Sequence, residues 1–137
     1  MDRERYLQLD RIARHAFEQI GRMTVDGLDS ALADCTDDIL MDWPFGPAER
    51  LDGRAAIKTF LRANTVEGFE LNLEDVFVDP VRDVAILTAN SRGHNQRTGK
   101  DYANRYVFLL KFRDDLICEW HEYLNPIAVL EAFGPAA

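Results

Sequence analysis

The sequence predicts an α+β domain in which N-terminal helices pack on one side of a curved, mainly antiparallel sheet. Three observations predict it. Leu9, Ile12, Ala13, Ala16, Phe17 and Ile20 recur at helical spacing. From Phe69 to Val78 the residues alternate with a period of two, as a strand requires. From Tyr102 to Leu124 the chain reads as two long strands joined by a tight turn at Arg113-Asp114-Asp115. The second of these strands ends in a carboxylate, Glu122, set among aromatic residues. Helices followed by a run of hairpin-linked strands give α+β layering.

Each element can be justified in order. The first helix stops at Gly21. A second, shorter one carries Leu28, Ala31, Leu32 and Cys35 on one face, with Asp26 and Asp29 near its positive N-terminal end. Residues 39–45 read as a short strand that Pro44 confines to an edge or an ending. Asp52-Gly53-Arg54 opens a third helix with Ile57, Phe60 and Leu61 as its apolar face. After the alternating stretch, Asp79-Pro80 turns the chain into a strand over residues 84–94. A polar loop over residues 95–100 contains Gly99 and leads to the strand from Tyr102 to Phe112. The last strand runs from Leu116 to Leu124, and Pro126 starts a closing helix.

Composition narrows the function classes. With 137 residues the chain is expected to form one domain over residues 1–137. A net charge of −8 argues against nucleic acid, whose phosphates need a basic footprint. No apolar run approaches a membrane span, and the charged start Met1-Asp2-Arg3-Glu4-Arg5 does not resemble a secretory signal, so a cytoplasmic protein is expected. Cys35 and Cys118 lack metal or redox spacing and are expected to be small buried hydrophobes. No His, Asp or Glu set falls at metal-ligand spacing, and no phosphate loop or nucleophile elbow is present. Neither a metal nor another cofactor is expected.

The stretch Tyr102-Ala103-Asn104-Arg105-Tyr106, the turn after it, and Glu122-Tyr123-Leu124-Asn125-Pro126 running to Leu130-Glu131-Ala132-Phe133-Gly134 resemble the SnoaL-like phenazine-biosynthesis A/B proteins. Asp42-Trp43-Pro44 looks like the strand that carries the general-base aspartate of ketosteroid isomerases. The whole order of elements is similar to the NTF2-like superfamily, which also holds polyketide cyclases and limonene epoxide hydrolases. The resemblance implies a cone-shaped fold whose sheet curls around a pocket beneath the helices. It implies a homodimer as well, formed through the outer sheet face.

Side-chain parity then decides which residues meet the pocket. Thr88, Asn90, Arg92 and His94 share one face of their strand and are expected inside. Asn104, Tyr106, Phe108, Leu110 and Phe112 share a face of the next. On the last strand the turn decides. A two-residue loop at Asp114-Asp115 brings Glu119, His121 and Tyr123 to that face; a three-residue loop with Asp115 left-handed brings Cys118, Trp120, Glu122 and Leu124. The resemblance selects the second, with Glu122 inside and His121 and Tyr123 on the outer face beside Val107 and Leu109. Those outward apolar residues mark the expected dimer surface.

On this reading Glu122 and Asp42 are the candidate catalytic pair, facing an apolar cavity lined by Phe17, Phe60, Phe108, Leu110 and Trp120. Burial raises a carboxyl's pKa toward neutrality and suits it to acid–base work. The family position of Glu122 is that of the acid/base glutamate in the phenazine A/B proteins. Arg92 either holds an anionic group of a substrate or forms an ion pair with one of the carboxylates. Asn90, Asn104 and Tyr106 are candidates to position a carbonyl or hydroxyl, with Tyr106 alternatively a core aromatic. His15 would border the pocket from the first helix or play a structural part.

Three family patterns are incomplete. The strand of Asn90-Ser91-Arg92 lacks the aspartate of the epoxide hydrolases. His15 or Phe17 and Phe108 stand where an isomerase places its oxyanion donors. The helix Ile57-Lys58-Thr59-Phe60-Leu61 lacks the histidine of the phenazine proteins. The expected function is a cofactor-free isomerase, cyclase, dehydratase or hydrolase acting on a small hydrophobic cyclic molecule. The alternative is a non-catalytic dimeric binding module.

Overall fold

A computed structural model describes residues 2–46, 48–64 and 68–134. Four helices, α1 (Arg3–Gly21), α2 (Val25–Ala33), α3 (Arg54–Ala63) and α4 (Pro126–Phe133), pack on one curved sheet. Its strands are β1 (Cys35–Asp42), β2 (Leu51–Asp52), β3 (Glu70–Asp79), β4 (Val84–Asn95), β5 (Lys100–Arg113) and β6 (Leu116–Leu124), in the order β2-β1-β6-β5-β4-β3. All neighbours are antiparallel except β1 and β6, which run parallel.

Local chemistry sets the helix ends. Asp2, Thr24 and Asn125 each cap a helix by accepting a backbone N–H with the side chain, and Pro126 follows the last cap where its missing N–H costs nothing. The α1 stripe Leu9, Ile12, Ala13, Ala16 and Phe17 is buried against the sheet. A Cβ on Gly27 would come within 2.4 Å of the Gln19 carbonyl, so a glycine is needed where α2 crosses the end of α1. Cys35 opens β1 instead of ending α2, and β1 stops at Asp42, two residues before Pro44.

Two bulges correct the expected parities. In β3 the register shifts between Leu73 and Asp75, so Leu71, Leu73, Val76 and Val78 pack on the core while Phe77 is exposed. In β6 the register shifts opposite Lys111 and Phe112: Lys111 pairs with Glu119 and Phe112 with Ile117, leaving Cys118 as the extra residue. The turn itself is the two-residue form, since Arg113 pairs with Leu116, and Asp114 rather than Asp115 is left-handed, at φ 57°. By the turn alone His121 would face inward. The bulge at Cys118 reverses that parity and points Ile117, Trp120, Glu122 and Leu124 toward the helices. Glu122 therefore lies inside as expected, by a different device.

Arg5 fixes this end of the sheet. Its guanidinium donates to Asp83, to Asp115 at 2.7 Å and to the Asp114 carbonyl, tying the start of α1 to two turns at once. Because a left-handed L-residue is strained, Asp114→Ala is expected to lower the unfolding free energy by about 1 kcal/mol, whereas Asp114→Gly does not. Urea unfolding of the two variants measures the difference.

Candidate functional site

Three faces of the inner sheet meet around Glu122. It stands opposite Phe108 on β5 and diagonal to Tyr106, which pairs with Leu124. On β1 the register places Asp42 beside His121, so Trp43, one residue on, lies beside Glu122. Aromatic rings enclose the carboxyl. Phe108 makes edge contacts with Phe17 at 5.4 Å and with Trp120 at 5.8 Å, and stacks on Tyr106 at 5.4 Å. Trp43 packs on Phe60 of α3 at 5.3 Å.

The electrostatic consequence is direct. Desolvation disfavours the carboxylate and raises the Glu122 pKa to about 7, and a hydrogen bond from the Trp43 side chain opposes part of that rise. Glu122 nevertheless keeps intermediate exposure as a residue.

A polar cluster adjoins it. Asn104 donates to the Tyr102 hydroxyl at 3.0 Å, the Tyr102 and Tyr106 hydroxyls lie 2.9 Å apart, and Tyr106 lies 2.7 Å from the Ser91 hydroxyl. Asn104 is itself fixed, accepting from the Asn125 N–H at 2.9 Å and donating to its carbonyl at 3.0 Å. Three hydroxyls share two hydroxyl–hydroxyl bonds, so one hydroxyl proton of this chain has no acceptor within it. Burial raises both tyrosine pKa values, and the charge of Glu122 adds to the rise.

Of the sequence-predicted residues, Glu122, Asn104, Tyr106, Trp120, Phe17, Phe60 and Phe108 come together here. Four do not. Asp42 lies on the outer face, where its Oδ1 is 2.5 Å from His121 Nδ1, so it is not in one cavity with Glu122. The reason is the alternation of β1, which buries Ile39, Met41 and Trp43. Arg92 and Asn90 are also outside, because the hairpin register sets Ser91 opposite Asn104 and turns Ala85, Leu87, Ala89 and Ser91 inward. Asn90 donates there to Glu74 at 3.0 Å, and Arg92 borders a shallow outer depression. His15, 47% exposed, pairs with Asp34 at 2.5 Å on the surface of α1.

Sequence reasoning missed Ser91, Tyr102 and Trp43 as parts of the site. Tyr102 shares the parity of Asn104 and Tyr106, and that signal was legible. Ser91 and Trp43 needed the strand registers. Among the described residues no group of three or more His, Cys, Asp or Glu is arranged to hold a metal, and no described helix is long and apolar enough to cross a membrane.

The raised Glu122 pKa makes a stability prediction. The folded state holds this proton more tightly than the unfolded chain, so the stabilisation is present below the ordinary value of 4.5 and is lost as pH rises through about 7. Relative to Glu122→Gln, the wild type is expected to lose roughly 3 kcal/mol of unfolding free energy between pH 4 and 8. Parallel urea titrations across that range measure it.

Comparison with known proteins gives three further findings. The SnoaL-like domain model matches residues 13–120. The uncharacterized protein YesE of Bacillus subtilis (strain 168) is 28% identical over 93 residues, a match spanning 66% of this chain and 63% of that protein. Among solved structures, a candidate isomerase from Bacillus subtilis superposes with a TM-score of 0.79 at 21% identity, covering 96% of both chains. A candidate SnoaL-like polyketide cyclase from Jannaschia sp. CCS1 does so with a TM-score of 0.82 at 15% identity, covering 96% of this chain and 95% of that one. At such identities the superpositions speak for the fold. The family model spans most of the chain, and the chain accordingly belongs to the SnoaL-like domain family.

Proposed function

We propose that this protein is a cofactor-free acid–base enzyme acting on a small, hydrophobic cyclic compound that carries a carbonyl or hydroxyl oxygen. The observation that carries the reading is Glu122, a carboxyl enclosed by Trp43, Phe108 and Trp120 with a pKa of about 7. Near neutral pH it populates both forms, as a group that takes and returns a proton must. The substrate oxygen is held by the hydroxyl chain of Ser91, Tyr106 and Tyr102, whose uncommitted proton supplies the donor.

Asp42 drops out as the partner acid, and this narrows the reaction. Glu122 is the sole carboxylate among the described residues on the inner faces of β1, β4, β5 and β6. A lone carboxyl suits a reaction in which the proton removed from one atom is delivered to another, an isomerisation or a cyclisation. Hydrolysis would ask for a second group to activate water or protonate the leaving oxygen.

The test is solvent deuterium exchange into the α-position of cyclic ketones, chosen by thermal shift and followed by NMR. Exchange by the wild type is expected to rise with pH as Glu122 ionises and to level off above about 7, since the carboxylate is the base. Glu122→Gln is expected to lose about two orders of magnitude or more. Retention of wild-type exchange by that variant would exclude Glu122 as the base.

The same reading extends to assembly. The outer face carries exposed Phe77, Ile86 and Val107 beside Leu109 and Tyr123, an apolar surface suited to a second copy of the chain. A dimer is expected in sedimentation equilibrium, and Val107→Glu, set in the middle of that face, is expected to shift it to monomer. A monomeric wild type would remove the assignment.

A further inference from the structure

The outer-face residues left over from the candidate site form a connected group. His121 is 14% exposed and lies between two carboxylates, with Nδ1 2.5 Å from Asp42 Oδ1 and Nε2 2.8 Å from Glu119 Oε1. Carboxylate oxygens only accept, so a ring with one proton can donate to one of them while its other nitrogen faces an acceptor. The full arrangement requires the imidazolium. Cations stand around it: Lys111 on β5 reaches Glu119 at 3.8 Å, and Arg50, bonded to Asp52, sends its charge to both Asp42 and Glu119.

The position of this group matters more than its charge. Asp42 and His121 are register partners across the parallel β1–β6 pair. Successive residues on a strand point to opposite faces, so Trp43 and Glu122, the next residues on the two strands, meet on the inside. The same short piece of backbone thus carries an ion-paired contact outside and the Trp43–Glu122 contact inside. On its other side this strand end is held by the two-residue pairing with β2 and by Phe60 against Trp43. The β1–β6 ladder is in regular register only from Leu40 to Asp42, after a shift that follows Cys35. The chain then leaves the sheet through a turn closed by Gly46 N–H donating to the Trp43 carbonyl at 2.8 Å, with Pro44 between them unable to donate.

We propose that Asp42 and His121 are positioning residues which, acting from the outer face, hold the Trp43 indole against the Glu122 carboxyl, with Glu119 steadying the other side of the His121 ring. The proposal rests on the reading of Glu122 as the reacting group and assigns no contact with substrate to Asp42 or His121. It gives the outer face a defined influence on the site. Loosening the pair lets the end of β1 drift, removes a donor from the carboxylate, and makes Glu122 harder to ionise.

The test reads Glu122 directly, without a substrate. Glutamate labelled with 13C at the side-chain carboxyl is followed by NMR against pH, and the Glu122 signal is the one missing from Glu122→Gln. Trp43→Phe, which keeps a ring but loses the N–H, is expected to move the Glu122 midpoint upward by about half a pH unit or more, about a threefold change in the ratio of ionised to protonated form. Asp42→Asn and His121→Gln are expected to move it the same way, and either combined with Trp43→Phe adds nothing further, because both act through the indole. Additive shifts, or outer-face variants that leave the midpoint at the wild-type value, overturn the proposal. Should α-proton exchange survive Glu122→Gln, the catalytic reading fails while these midpoints still decide whether the pair positions Trp43.

Discussion

The inward placement of Glu122 depends on one unpaired residue, Cys118. A two-residue turn at Asp114-Asp115 would, in an unbroken ladder, direct His121 among Phe108 and Trp43 and leave Glu122 on the outer surface. The bulge adds one position to β6 and exchanges the two faces for every residue after it. The inner face of β6 then carries Trp120, Glu122 and Leu124, and the outer face carries Glu119, His121 and Tyr123. Both chemical groups of the molecule, the enclosed carboxyl and the bridged imidazole, follow from that insertion.

The sheet divides into an apolar end and a polar end. Near the turns clamped by Arg5, the inner face is apolar: Ala85, Leu87, Leu110, Phe112 and Ile117 pack beneath α1. Farther along the same strands the inner residues become Ser91, Tyr102, Asn104 and Tyr106, tied to Asn125 at the entry to α4. Glu122 sits at the border, where the apolar wall removes water and the polar cluster supplies donors. An enclosed carboxylate is a cost to the fold, and the aromatic packing around it is what offsets that cost. Such a conflict between local stability and placement is expected where a protein does chemistry.

Much of this was legible in the sequence because it depends on periodicity. The α1 stripe, the Asn104–Phe112 parity and the helix starts at Asp52-Gly53-Arg54 and Pro126 each rest on local spacing, and they hold. The parity of β4 did not follow, because Val84, Ile86 and Thr88 are as apolar as Ala85, Leu87 and Ala89. Only the hairpin register, which puts Ser91 opposite Asn104, separates the two faces and sends Asn90 and Arg92 outward. Asp42 lies outside the expected cavity for a related reason. Ile39, Met41 and Trp43 do alternate, but Leu40 is apolar too, and the family likeness of Asp42-Trp43-Pro44 points to the aspartate instead of the indole. Bulges at Glu74 and Cys118 leave no mark in the residue pattern, since any side chain can occupy them.

The adjacency of the Asp42–His121 and Trp43–Glu122 contacts, made by consecutive residues at the end of β1 and on β6, couples inside and outside at one place. In a parallel pair, Asp42–His121 and Trp43–Glu122 advance together, so one displacement loosens both contacts. Between these two steps the backbone offers no independent adjustment, because Pro44 and the Trp43–Gly46 turn end the ladder there. A second copy covering Val107, Leu109 and Tyr123 would border His121 and withdraw water from its two carboxylates. Removing that water strengthens attraction between opposite charges and imposes a desolvation cost on each of them. Association at the outer face would therefore act on the strand end that keeps Trp43 on Glu122, and the ionisation of the enclosed carboxyl would report it.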